Sequence, residues 1–267
     1  MSVEHGDGET PSTVGGDGPR SVRDVLVAVV RRLRATPRLA VPFVLAGAVV
    51  GLADWLRLQD PLPAGQPPWM GDVLSVQYAL FPAGTARTTR ELGAFPDLRL
   101  PYLLGGIALE ALVVLSVGVA GWLTLTRALS ADRTALSFGR YVGGFVAVAA
   151  LLALVPAGSI EIRSLPLALL ALAVAFVLVV RLFLVPGLLA SGSGVVAALR
   201  ESGRRSRGVR VTVGWLAVTF GVASWGLATV PVVGGFLSTA VVGTVQAVAI
   251  AVLLGRPEET TAGPERL

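Results

Sequence analysis

Glu110 is the single charged side chain in the apolar run from Tyr102 to Leu125. It lies about eight residues inside that run, roughly 12 Å deep at 1.5 Å per residue, where an ionised group is costly unless paired or hydrated. Such a carboxylate is a candidate intramembrane polar site, read either as part of a transport cavity or as a hydrogen-bonded structural group. Gln246 in the last apolar run, and the hydroxyls of Thr219 and Ser224, are the partners expected at that depth, whereas Arg181 sits too far toward the inner end of its own run. Asp54 falls at the outer end of the first run, where water is accessible, and reads as an interfacial residue.

Other chemistries are limited by residue type. The lone histidine, His5, lies in a polar amino-terminal stretch, so neither a Ser–His–Asp triad nor a histidine-ligated metal is expected in the folded part. There is no cysteine, which removes disulfides, thiolate nucleophiles and cysteine-bound clusters. There is no lysine, hence no Schiff base and no phosphate-loop lysine, and Ser191–Gly194 (SGSG) follows an apolar helix rather than a strand and reads as a hinge. No catalytic residue, cofactor or metal is expected, and the chain reads as a non-enzyme.

The elements that would position Glu110 follow from composition and periodicity. Of 267 residues, 54% are hydrophobic and 15% charged, against about 25% charged in ordinary soluble domains. With mean hydropathy +0.74, lipid is the expected solvent. The expected fold is all-α: a polytopic helical membrane protein of six transmembrane helices plus interfacial amphipathic helices. Residues 1–20 read as a disordered polar tail, 21–255 as the membrane domain and 256–267 as a polar carboxyl-terminal tail. Spans are expected at about 39–56, 102–125, 141–156, 165–185, 211–231 and 235–254, the last two separated by a tight turn at Pro231, Gly234 and Gly235.

Two short stretches are amphipathic instead of spanning. In residues 21–34, Val22, Val25, Leu26, Val29, Val30 and Leu33 recur at helical spacing; in 194–203, Val195, Val196 and Leu199 share a face, with Ser193 as the expected N-cap. Between Arg57 and Arg99 the long polar connection has balanced charges and is expected to carry one or two short surface helices. Gly47 and Gly51, and the stripe Gly235, Thr239, Gly243, Ala247 and Ala251, permit close helix approach, expected within the chain.

The formal charge of +5 comes with 22 basic residues, all arginine. Most flank apolar runs, so the charge reads as membrane orientation and not nucleic-acid binding. Arginines 20–38, 127–140 and 200–210 cluster in alternate loops, which places both termini in the cytoplasm of a multi-pass cell-membrane protein.

The stretch RLFLVPGLLA, followed by Gly194–Ser202 in the pattern Gly-Val-x-x-Ala-Leu-x-x-Ser and then by Arg207-Gly208, resembles a signature of the membrane domain preceding some glycerophosphodiester phosphodiesterases. Uncharacterised six-helix envelope proteins of bacteria and archaea share it. The resemblance spans about 28 residues and implies structural roles for Arg181, Pro186, Leu199 and Ser202. The catalytic domain of those phosphodiesterases is soluble, follows the membrane part and carries His, Glu and metal-binding carboxylates. The present sequence runs instead into a short polar tail, so the expectation carried over is architecture, not hydrolysis.

Function is therefore expected in one of two forms: a membrane-organising component or subunit of an envelope assembly, or, as the alternative, a small transporter or lipid-handling permease with a cavity around Glu110. Expected partners are membrane lipids and another membrane protein or a second copy of the chain.

Overall fold

The computed structural model describes residues 21–59, 80–88, 100–154 and 165–255. The expected tails at 1–20 and 256–267, the prolines at 61–68 and the charges at 161–163 lie outside the described residues. Every regular element among the described residues is helical: α1 Val22–Ala35, α2 Val41–Gln59, α3 Leu100–Ala128, α4 Ala135–Leu154, α5 Leu165–Leu182, α6 Val185–Ala190, α7 Val195–Arg205, α8 Arg210–Ala228, α9 Gly234–Leu237 and α10 Thr244–Leu254. A π-helical stretch, Ser238–Gly243, joins α9 to α10.

Five segments are long and apolar enough to cross a bilayer: Pro37–Gln59, Leu100–Ala128, Leu169–Ala190, Arg210–Ala228 and Gly234–Leu254. The apolar stretch of α4, Ala135–Leu151, is shorter. The protein is an all-α polytopic membrane protein. Its fourth span differs from expectation, because Pro186 does not end the helix. The chain breaks for two residues after α5, and Pro186 then sits in the first turn of α6, where its missing N–H costs nothing. The apolar segment thereby reaches Ala190.

The small residues let backbones close up. A Cβ on Gly47 would stand 2.9 Å from the Phe236 carbonyl, and one on Gly243 would stand 2.6 Å from the Phe43 ring. These contacts seat α2 directly on the α9–α10 helix, so the small-residue stripe packs within the chain. Gly235 serves this packing, and Gly234 lets the chain close on the Ala228 carbonyl at the end of α8. The left-handed residue of the turn after α8 is Val232, at φ 68°.

The two short amphipathic helices also pack inward. Ser21 and Asp24 form a reciprocal capping box that starts α1, and Val25 and Val29 are fully buried where α1 meets α10 and α8. In α7 the N-cap is Gly194, not Ser193. Its buried face carries Ala198 and Ser202, while Val195, Val196 and Leu199 are exposed.

Contacts between loops group the arginine-rich segments at one end of the bundle. Arg32 donates to the carbonyl of Ala128 at the end of α3. Arg38 and Arg127 line one shallow depression. Arg140 at the start of α4 donates to the Gly192 carbonyl at 2.8 Å.

Most of the connection expected to carry short surface helices, residues 60–79 and 89–99, lies outside the described residues; the part described is Leu80–Thr88. It is neither helical nor on the surface. Phe81 is buried, its ring packed edge-on against Tyr141 (5.3 Å) and Phe145 (5.5 Å) of α4. Gly84 lies so close to Ser238 and Thr239 that a Cβ would overlap their backbone, and Thr88 is buried beside α2. The segment runs through the bundle as irregular, non-helical backbone, which is tolerated among spanning helices only where it is buried in protein or lines a water-filled cavity.

Candidate functional site

A non-helical segment inside a helical bundle has no ladder for its own N–H and C=O groups, and each group left unpaired there costs free energy comparable to a lost hydrogen bond. Side chains from two helices, α2 and the α9–α10 helix, pair the backbone of Thr85, Arg87 and Thr88. Asp54 accepts the Arg87 N–H on Oδ2 at 3.0 Å, and on Oδ1 it accepts the Thr88 N–H at 3.0 Å and the Thr88 hydroxyl at 2.7 Å. Arg57 Nη1 donates to the Thr88 carbonyl at 2.9 Å. Ser238 Oγ accepts the Thr85 N–H at 2.9 Å.

Asp54 and Arg57 stand one turn apart on α2 and so share a face. Arg57 Nη1 reaches Asp54 Oδ1 at 3.2 Å. Its Nε and Nη2 then meet Glu110 of α3 in a fork, at 2.9 Å to Oε1 and 2.7 Å to Oε2. Four donor contacts are thus used by one planar guanidinium, a geometry that lysine could not reproduce. Asp54 and Arg57 are each 2% exposed, while the Glu110 side chain retains 34%. Desolvating such charges is offset only by close pairing and full hydrogen bonding, and both conditions hold for Asp54 and Arg57. Gly235 closes the far side: a Cβ there would overlap Asp54 Oδ2.

A second polar patch lies one turn along the α9–α10 helix. The hydroxyls of Thr85 and Ser224 are 2.7 Å apart and those of Ser224 and Ser238 are 2.8 Å apart; Ser238 Oγ also donates to the Ser224 carbonyl at 3.1 Å. Ser238 opens the π-helical stretch, a local widening that is frequent at functional positions. Here it aims one hydroxyl at both α8 and the Leu80–Thr88 segment.

The arrangement corrects the expected surroundings of Glu110. Its partner is Arg57, with Asp54 behind it, and Asp54 is buried instead of interfacial. Gln246 is also buried, but it lies about 16 Å further along the helix axis than Gly235 at 1.5 Å per residue, toward the opposite end of the bundle. Thr219 donates to the Trp215 carbonyl of its own helix at 2.8 Å, and Ser224 belongs to the patch around Ser238. The signal that finds Arg57 is topological: α2 ends, and α3 begins, at the same end of the bundle, so Arg57 is the arginine within reach of a carboxylate in the first half of α3.

The residues of the family-like signature occupy a different place. Ser202 is fully buried and donates to the Arg181 carbonyl at 2.6 Å, tying α7 to the end of α5. Pro186 is buried in α6, and Leu199 is 43% exposed. Among the described residues no group of three or more His, Cys, Asp or Glu side chains could hold a metal ion. The Asp54–Arg57–Glu110 cluster can do one thing well, which is to clamp non-helical backbone between α2, α3 and α9. No family model matches this chain, and no curated protein or solved structure matches it either.

Proposed function

We propose that the protein is a non-enzymatic component of the cell membrane that organises, or is a subunit of, an envelope assembly. The observation that supports this reading is the state of Glu110: the carboxylate that a transport cavity would use is fork-bonded to Arg57, which itself holds Asp54 and the Thr88 carbonyl. A group so committed builds structure. The bulky apolar side chains along α5, Leu169, Leu170, Leu172 and Val177 among them, are more than half exposed and offer surface to lipid or to a partner helix. The relationship to the phosphodiesterase membrane domain is part of the same proposal, supported by the Ser202–Arg181 tie within the shared stretch.

The arginine-rich end faces the cytoplasm in this reading, as the distribution of positive charge favours, and both termini lie there. Single cysteines placed between Arg127 and Arg140 should then resist an impermeant thiol reagent in intact cells, and labelling there would reverse the orientation.

The test of function is native mass spectrometry of the protein released gently from its own membrane, paired with the Glu110→Gln variant. A stoichiometric protein partner retained by both forms supports the assembly reading, with the variant losing about 1–2 kcal/mol of stability from the weakened fork. A small molecule retained by the wild type and lost from the variant, with no protein partner, would favour the permease.

A further inference from the structure

A groove of about 590 Å³ opens between α5 and α8, within the roughly 300–1,000 Å³ of ordinary ligand sites. Phe176 and Val180 of α5 and Gly214 and Trp215 of α8 line its apolar length; Arg181 and Arg210 stand together at one end. The groove exists because Gly214 lets α8 approach the Phe176 ring, where a Cβ would come within 2.7 Å.

Its two arginines lack the acidic partner that Arg204 and Arg205 have. Glu201, the nearby acid on α7, is committed to Arg204 and Arg205 at 2.8 Å and 2.6 Å. Neither the Arg181 nor the Arg210 guanidinium has a hydrogen-bond or ion-pair partner among the described residues. Arg210 is moreover the first residue of α8, whose amino terminus has no side-chain cap, so a cation stands at the positive end of a helix dipole. That placement is unfavourable by itself and becomes favourable when an anion binds between the two. Arg181 is held in place through its carbonyl, which accepts the Ser202 hydroxyl.

An apolar slot ending in two guanidiniums that have no partner among the described residues, at the same end of the bundle as the other arginine loops, is complementary to one kind of molecule. We propose that this groove binds an anionic phospholipid, with an acyl chain along Phe176, Val180 and Trp215 and the phosphate between Arg181 and Arg210. A free phosphate would satisfy the arginines but leave the apolar length unused, and a zwitterionic lipid would fill the slot without neutralising them.

The test uses the full chain in nanodiscs of equimolar phosphatidylglycerol and phosphatidylcholine, with the lipids retained on release read by native mass spectrometry. The wild type should keep phosphatidylglycerol in preference by about tenfold, and Arg181→Gln with Arg210→Gln should abolish that preference. Arg204→Gln, on the same basic face, should preserve it. Equal retention of both lipids by the wild type, an unchanged preference in the double variant, or an equal loss in the Arg204→Gln control would each overturn the proposal. Should the double variant fail to fold, the wild type decides alone: a phosphatidylglycerol with a photoreactive acyl chain should label Phe176 or Trp215. Labelling spread evenly over the exposed faces of other helices would refute the site.

Discussion

At one end of the bundle Arg32 and Arg140 donate to single carbonyls, those of Ala128 and Gly192, in loops that join helices. At the other end Arg57 is buried to 2% exposure and divides its donors among Asp54, Glu110 and the Thr88 carbonyl. The same residue type therefore does two jobs. Where water and headgroups reach, arginine trims a helix end, and losing one such contact costs little. Where they do not, arginine is the central part of a network in which every member needs the others. The difference comes from the non-helical segment Leu80–Thr88, whose backbone must find its partners inside the protein.

Breaking that contrast at its strongest point means removing Arg57. Arg57→Leu leaves two carboxylates facing each other and the Thr88 carbonyl unpaired, and should lower stability by about 3–5 kcal/mol, read as a shift in a denaturant midpoint in detergent micelles. A loss below about 1 kcal/mol would mean that the buried end behaves like the arginine-rich one.

A smaller effect is expected from Gly235→Ala, which leaves every charge in place but pushes a methyl group into Asp54 Oδ2 and to within 3.2 Å of Val50. Overpacking of this kind costs about 1–3 kcal/mol. Amide exchange should rise at Arg87 and Thr88, the two N–H groups that Asp54 accepts, while α1 and α7 stay protected. Uniform loss of protection would show that the clamp is not a local unit.

The smallest effect belongs to the arginine-rich end and sharpens the comparison through pH. Hydrogen bonds from Arg204 and then Arg205 hold the Glu201 carboxyl below its ordinary value, and the two charges add to the shift. A depressed carboxylate contributes stability that is present above its unfolded value and is lost as pH falls through its folded value. Acidification should therefore fray the last turn of α7 before anything else at this end, seen as faster exchange of its amides, with little change in the global midpoint because the pair is at the surface. Coincident loss of α7 and the whole bundle would contradict this.

How legible the protein was in its sequence depends on the range of the interaction. Apolar runs long enough to cross a bilayer, and the glycine and alanine spacing that lets α2 meet the α9–α10 helix, are local properties of the chain, and Gly47 and Gly243 pack as their spacing requires. Glu110 was legible as a group in need of a partner, because burial of a carboxylate in an apolar run demands one. The partner itself is hidden because Asp54 and Arg57 look like the wet end of a span until something covers them. Leu80–Thr88 supplies that cover, and beyond Leu80 and Phe81 its composition (Pro, Ala, Gly, Thr, Arg) is that of any polar connection. The break and restart around Pro186 is equally hidden, since proline ends a helix or opens the next one equally well.

The sequence by itself determined that the chain is helical and belongs in a membrane, because hydropathy and helical periodicity are summed over neighbours along one segment. It determined too that Glu110 could not stand alone. Only the tertiary structure decided that Arg57 answers it, that a connecting loop becomes the filling of the bundle, and that Arg181 and Arg210, 29 positions apart in the sequence, come to border one groove. Hydrogen bonds and ion pairs act over a few ångströms, and which residues fall within that reach is set by how the helices pack, not by where the residues lie along the chain.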